Sequence, residues 1–135
     1  MRAEEEARRA EAARRRREAE RRGHLAEGFA ALALRLRGWR VLARRHRARG
    51  GEVDIVARRG RLVAMVEVKA RRTLAESVDA VSPTAWRRIA AAGDDWLARR
   101  PDATTLSVRY DLVAVPTPIR PWRWPRRIAG AWSPD

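Results

Sequence analysis

The sequence predicts an α/β fold, a mixed sheet flanked by helices, and three observations carry that prediction. Residues 51–57 and 62–69 alternate apolar and other residues with period two around an Arg-Arg-Gly-Arg break, which reads as a β-hairpin. A helical apolar pattern precedes this hairpin, and another follows it. A last alternating run closes the series, so the order is helix, strand, strand, strand, helix, strand.

The first 22 residues are a low-complexity mixture of Ala, Arg and Glu. Glu4/Arg8, Glu5/Arg9, Glu11/Arg15 and Glu18/Arg22 stand four apart in the favourable order, but no apolar stripe accompanies them. Residues 1–22 are therefore expected to be an arm, either a solvated helix or disordered, outside a domain at 23–115. From His24 onward, Leu25, Phe29, Leu32 and Leu36 recur at helical spacing, with Gly38 as the stop, and predict the first core helix. Glu27 then falls at the margin of the buried stripe.

Residues 39–44 predict a strand, and 44–51 a basic loop whose Arg45, Arg47 and Arg49 suit phosphate contacts as well as solvation. After Lys69, Arg71 and Arg72 open a polar loop to Ser82, which with Pro83 offers an N-cap and a first-turn proline. The second helix turns Trp86, Ile89, Gly93, Trp96 and Leu97 inward and ends before Pro101. Residues 104–115 alternate again as a strand. The tail, 116–135, interleaves proline, tryptophan and arginine and is expected to pack on the domain as an irregular cover.

Formal net charge is +14 over 135 residues, and such an excess suggests a polyanionic partner, above all nucleic acid. Lys69 is the single lysine among 31 basic residues. A compact point charge, chemically different from a guanidinium, stands there. Cysteine is absent, which excludes disulfides and thiolate metal sites. No apolar run is long enough to span a bilayer and no signal peptide is recognisable, so the expected location is the cytoplasm.

The hairpin combines an apolar face with an acidic one. Val53, Ile55, Ala57, Leu62, Ala64, Val66 and Val68 share the first; Glu52, Asp54, Glu67 and Lys69 lie on the second beside Val56, Val63 and Met65. A type II′ turn at Gly60-Arg61 sets Asp54 opposite Glu67 and Glu52 opposite Lys69, with Cβ atoms roughly 5 Å apart. A one-residue slip would bury the acids, so the apolar pattern enforces the pairing. Two carboxylates held together need a shared proton or a hard cation.

Asp54, twelve intervening residues and Glu67-Val68-Lys69 resemble the D...ExK signature of the restriction-endonuclease-like, or PD-(D/E)xK, nuclease superfamily, which shares the same element order. Four longer stretches, at 38–42, 51–57, 66–71 and 109–113, resemble in order and spacing the YraN family of bacterial proteins. Glu27 matches that family's helix acid, and 127–132 its closing motif. The resemblance covers about residues 23–132. Arg45 stands where the family usually has Asn, Ala85 where it has Lys, Arg127 where it has His and Trp132 where it has Phe.

The resemblance implies a restriction-endonuclease-like, Holliday-junction-resolvase-like fold and metal-assisted phosphodiester hydrolysis. Asp54, Glu67 and the Val68 carbonyl are then expected to hold Mg²⁺ or Mn²⁺, with Glu52 or Glu27 completing the shell. Lys69 is expected to orient or activate the attacking water. Arg45, Arg47, Arg49, Arg71 and Arg72 are the candidate nucleic-acid contacts, DNA is the expected partner, branched structures included, and a homodimer is consistent with junction cutting. Two other classes remain open: a nucleic-acid-binding protein that does not cut, and a partner-binding module that docks through its Trp-rich tail.

Overall fold

The computed structural model describes residues 1–134. Helix α1 (Arg2–Leu36) leads into strands β1 (Arg40–Ala48), β2 (Gly51–Arg59) and β3 (Leu62–Arg71). Two helices follow, α2 (Leu74–Asp79) and α3 (Pro83–Ala98), then a 3₁₀ turn at Ala103–Thr105, β4 (Ser107–Pro116) and β5 (Arg126–Trp132). The five strands form one sheet in the order β1-β2-β3-β4-β5. Only β3 and β4 run parallel, because α2 and α3 supply the crossover between them. This is the mixed sheet flanked by helices of a restriction-endonuclease-like core, with a short helix and a fifth strand added to the predicted order.

The arm and the first core helix are one continuous rod. α1 ends in a Schellman motif: Gly38, at φ 89°, donates to Arg35 C=O at 3.1 Å, and Trp39 N–H reaches Leu34 C=O at 3.0 Å. Trp39 and Leu34 then pack in the same buried cluster. The face that α1 buries differs from the expected one. Ala26, Ala30, Ala31, Ala33 and Leu34 meet the sheet, whereas Leu25, Leu32 and Leu36 remain 59%, 46% and 67% exposed. Small side chains let the helix backbone lie close to the strands, and that gain outweighs turning the leucines inward.

Both faces of the sheet are cores. α1 covers Ile55, Ala57, Ala64, Val66, Val113 and Val115. On the other face, Val56, Val63, Met65, Tyr110 and Leu112 pack with Trp86, Ile89, Ala92 and Trp96 of α3. α3 is capped by Ser82, whose hydroxyl accepts from Ala85 N–H at 3.1 Å, and Gly93 lets Met65 approach. Gly51 is needed for a similar reason, since a Cβ there would stand 2.3 Å from the Arg88 carbonyl oxygen.

The hairpin register is the predicted one. Ile55 pairs with Val66 and Arg59 with Leu62, leaving Gly60-Arg61 as the turn; Gly60 has φ 63°, as a type II′ turn requires. β1 runs longer than predicted, through the supposed basic loop to Ala48. The segment after Arg72 is not simply a loop, because Thr73 accepts from Glu76 N–H at 3.1 Å and caps α2. In the tail, β5 pairs antiparallel with β4, and Trp132 stacks on Trp86 with ring centroids 6.1 Å apart.

Candidate active site

The β2–β3 ladder ends at Ile55 and Val66, and the acids lie where the strands part. There Asp54 replaces the missing backbone partner: its Oδ2 accepts from Val68 N–H at 2.8 Å. In a strand the N–H and C=O of one residue leave on the same edge, so the Val68 carbonyl is directed to the side on which Asp54 stands. Across β1, Arg45 lies between the Arg44–Ile55 and His46–Val53 pairs, which places it level with Asp54, and it has φ 53°. A non-glycine residue in that region marks local distortion, and β2 turns here. Val53 accordingly joins the α3-side cluster instead of sharing a face with Ile55 and Ala57, as alternation alone predicts.

Asp54 and Glu67 hydrogen-bond side chain to side chain. Burial, that hydrogen bond and the Asp54 charge together push the Glu67 carboxyl from 4.5 up to about 9, while Lys69 and the backbone at Val68 pull it partway back. At neutral pH Glu67 therefore keeps its proton and can donate it to Asp54. Lys69 acts on Glu67 through space and has no ion-pair or hydrogen-bond partner for its ammonium among the described residues. Ser77 donates weakly to its backbone carbonyl at 3.5 Å.

The two acids expected to complete a metal shell are placed differently. Glu27 is buried against β1, where Arg44 and Arg45 each reach one of its oxygens at 3.1 Å. Glu52 pairs with Arg47 at 3.4 Å across the β1–β2 hairpin. It does not meet Lys69, because β2 has left β3 by then. Among the described residues no group of three acids or imidazoles is gathered for a metal. What remains is two carboxylates and a carbonyl edge. Proteins commonly hold Mg²⁺ through one or two carboxylates, with water filling the remaining positions.

Two clefts flank the pair. Glu67 opens into one of about 420 Å³, lined also by Glu52, Arg47 and Arg88. Lys69 lies in another of about 500 Å³, with Arg22, Arg71, Arg72 and Glu76. Among the described residues Arg71 binds only the Ala70 carbonyl, whereas Arg72 approaches Glu76 at 3.9 Å. Arg49 sits exposed at the β1–β2 turn. Arg45 and Arg47 are occupied by Glu27 and Glu52, so of the five candidate nucleic-acid arginines, Arg49 and Arg71 lack a carboxylate partner among the described residues.

Sequence reasoning missed Arg22 and Arg88, which have no signal in so arginine-rich a chain. It also missed the link between two motifs. Asp111, fully buried, accepts from Arg109 at 2.7 and 2.8 Å, from Gly130 N–H at 3.0 Å and from Arg127 at 3.4 Å, tying 109–113 to 127–132. His46 is likewise more than a strand-end residue: its Nε2 lies 2.8 Å from Asp95 Oδ2 of α3, and that contact leads the causes holding the Asp95 carboxyl below its ordinary range.

Comparison with known proteins agrees with the motifs. Residues 26–115 match the family described as "Uncharacterised protein family UPF0102". A UPF0102 protein of Rhizobium meliloti (strain 1021) is 58% identical over 110 residues, covering 82% of this chain and 87% of the relative. UPF0102 proteins of Sinorhizobium medicae (strain WSM419) and Mesorhizobium japonicum are 56% and 54% identical over the same length, covering 82% of this chain and 87% and 85% of their own. The chain thus belongs to the UPF0102 family, the YraN family whose motifs surround Asp54, Glu67 and Lys69.

Proposed function

We propose that this protein is a metal-dependent nuclease that hydrolyses phosphodiester bonds in DNA, branched structures included, in the cytoplasm. The observation that carries the reading is the Asp54–Glu67 pair, two carboxylates pressed together until one keeps a proton to about 9. A divalent ion held by Asp54 and Glu67 would offset both charges and replace the proton.

Asp54, Glu67 and the Val68 carbonyl would hold Mg²⁺ or Mn²⁺. When bound, the ion polarises the scissile phosphate and lowers the pKa of a coordinated water. Glu67 must release its proton first, so binding strengthens as pH rises toward 9. Lys69, whose ammonium has no hydrogen-bond or ion-pair partner among the described residues, orients the attacking water and offsets charge on the phosphate. Arg71, with Arg22 across the same cleft, grips the neighbouring phosphate of the strand, and Arg88 lines the other side of the acid pair.

The test is a panel of junction, flap, duplex and single-strand DNA and RNA, incubated with Mg²⁺, Mn²⁺ or chelator. Cleavage should require the ion and should be lost in Asp54→Asn, Glu67→Gln and Lys69→Ala. Cleavage that survives all three substitutions would end the assignment. One observation favours a second reading, a nucleic-acid-binding protein that does not cut: Glu27 and Glu52 are engaged by arginines, leaving the acid pair without a third carboxylate. Binding that persists in chelator and never yields product would select it.

A further inference from the structure

A second concave site lies on the opposite face of the sheet from Glu67. Glu67 stands beside Leu112 of the α3-side core, whereas Val113, paired with Arg127, belongs to the α1-side core. Between the last turns of α1 and the start of β5 is a cleft of about 320 Å³, at the small end of the range for single-ligand sites. Its inner wall is apolar, with Ala33 and Leu34 on one side and Trp124 on the other; its rim carries Arg37, Arg126 and Arg127.

The charges at this rim are unbalanced. Elsewhere many arginines have carboxylate partners, as Arg44 and Arg45 do in Glu27 and Arg58 does in Asp102. The Arg37 and Arg126 guanidiniums have no ion-pair or hydrogen-bond partner among the described residues. Arg127 shares the single carboxylate of Asp111 with Arg109. Behind the rim, Arg59, Arg109 and Arg127 surround the buried Trp39 ring at 4.6, 5.8 and 5.7 Å, and the Trp39 indole N–H has no partner among the described residues. Five guanidiniums thus lie at this rim or behind it, and only Arg109 and Arg127 reach the acid Asp111.

The aromatic wall selects among anions. Trp124 is fixed by Phe29, which meets it edge-on at a centroid distance of 5.3 Å, yet it stays 38% exposed, so ring surface is left for a planar partner. We propose that this cleft is a nucleotide site, binding one phosphorylated nucleoside unit with its base against Trp124 and its phosphate on Arg37, Arg126 and Arg127. A bare phosphate would leave the apolar wall wet, and a duplex would not fit the volume. The same chemistry is offered by a free mononucleotide and by the phosphorylated end of a strand. The site does not depend on the acid pair being catalytic.

Calorimetric titration of the full chain at 150 mM salt tests it, with a deoxynucleoside monophosphate, its unphosphorylated nucleoside, inorganic phosphate, and dinucleotides with and without a 5′-phosphate. The monophosphate should bind at least tenfold more tightly than either the nucleoside or phosphate. Arg37→Ala with Arg126→Ala should weaken it at least tenfold at unchanged melting temperature, since both side chains are exposed and lack a partner among the described residues. Trp124→Leu should weaken it at least fivefold. A control with equal charge loss, Arg16→Ala with Arg17→Ala, should bind as the unaltered chain does. Equal binding of the mononucleotide and the 5′-phosphorylated dinucleotide supports a strand-end site, and a preference for the mononucleotide supports a free-nucleotide site. Mononucleotide affinity no better than that of inorganic phosphate, or an equal loss in the control, would overturn the assignment in favour of diffuse charge attraction.

Discussion

Replacing Glu67 with Gln should make the metal-free protein more stable at neutral pH, although the same change should abolish cleavage. Unfolded, the Glu67 carboxyl ionises at its ordinary 4.5; folded beside Asp54 it keeps its proton to about 9. Between those values the folded chain binds one more proton than the unfolded one, so stability falls as pH rises through the window. At pH 7 the difference from 4.5, at about 1.4 kcal/mol per pH unit, amounts to as much as about 3 kcal/mol. Water reaching Glu67 from its cleft lowers that figure. Gln keeps a donor for Asp54 and cannot ionise, so it escapes the cost. Urea unfolding of both proteins in chelator at pH 5 and pH 8 measures the effect. The variant should gain stability at pH 8 and little at pH 5, and saturating Mg²⁺ should narrow the gap at pH 8. Parallel stabilities at both pH values would refute the shared proton.

Three further outcomes follow from the packing. Asp111→Ala should cost about 3–5 kcal/mol in urea unfolding, because it leaves the Arg109 and Arg127 charges and the Gly130 N–H without their buried acceptor. Gly51→Ala should lower stability by about 1–3 kcal/mol in thermal melts, since its Cβ would fall 2.3 Å from the Arg88 carbonyl oxygen and force β2 from α3. Glu27→Gln should destabilise by about 1–3 kcal/mol, through its two hydrogen bonds from charged arginines, while leaving Mn²⁺ affinity within threefold of the unaltered protein. A tenfold loss of Mn²⁺ binding in that variant would instead make Glu27 a ligand.

Legibility followed how local each determinant is. The acid pair could be found because strand alternation and a Gly-Arg turn are neighbourly signals, and together they fix which side chains face each other. They stop being sufficient where the strands part: nothing near Glu52 announces that β2 leaves β3 after Ile55, or that Arg45 takes a positive φ. The α1 face was misjudged because leucines were weighed above alanines, whereas close approach to a sheet favours Ala30 and Ala31. β5 lay hidden behind Pro116, Pro118, Pro121 and Pro125, which end before Arg126. Asp111 could be quoted within a motif, but its burial depends on Arg127 and Gly130, contributed from 16 and 19 residues away.

The central claim is that Asp54 and Glu67 exchange a shared proton for a divalent ion. Calorimetric titration of Mn²⁺ into the protein at pH 7, repeated in buffers of different ionisation heat, counts ions bound and protons released together. The expected result is one ion and close to one proton per chain, both lost in Asp54→Asn. Binding without proton release, or none at all, would contradict it.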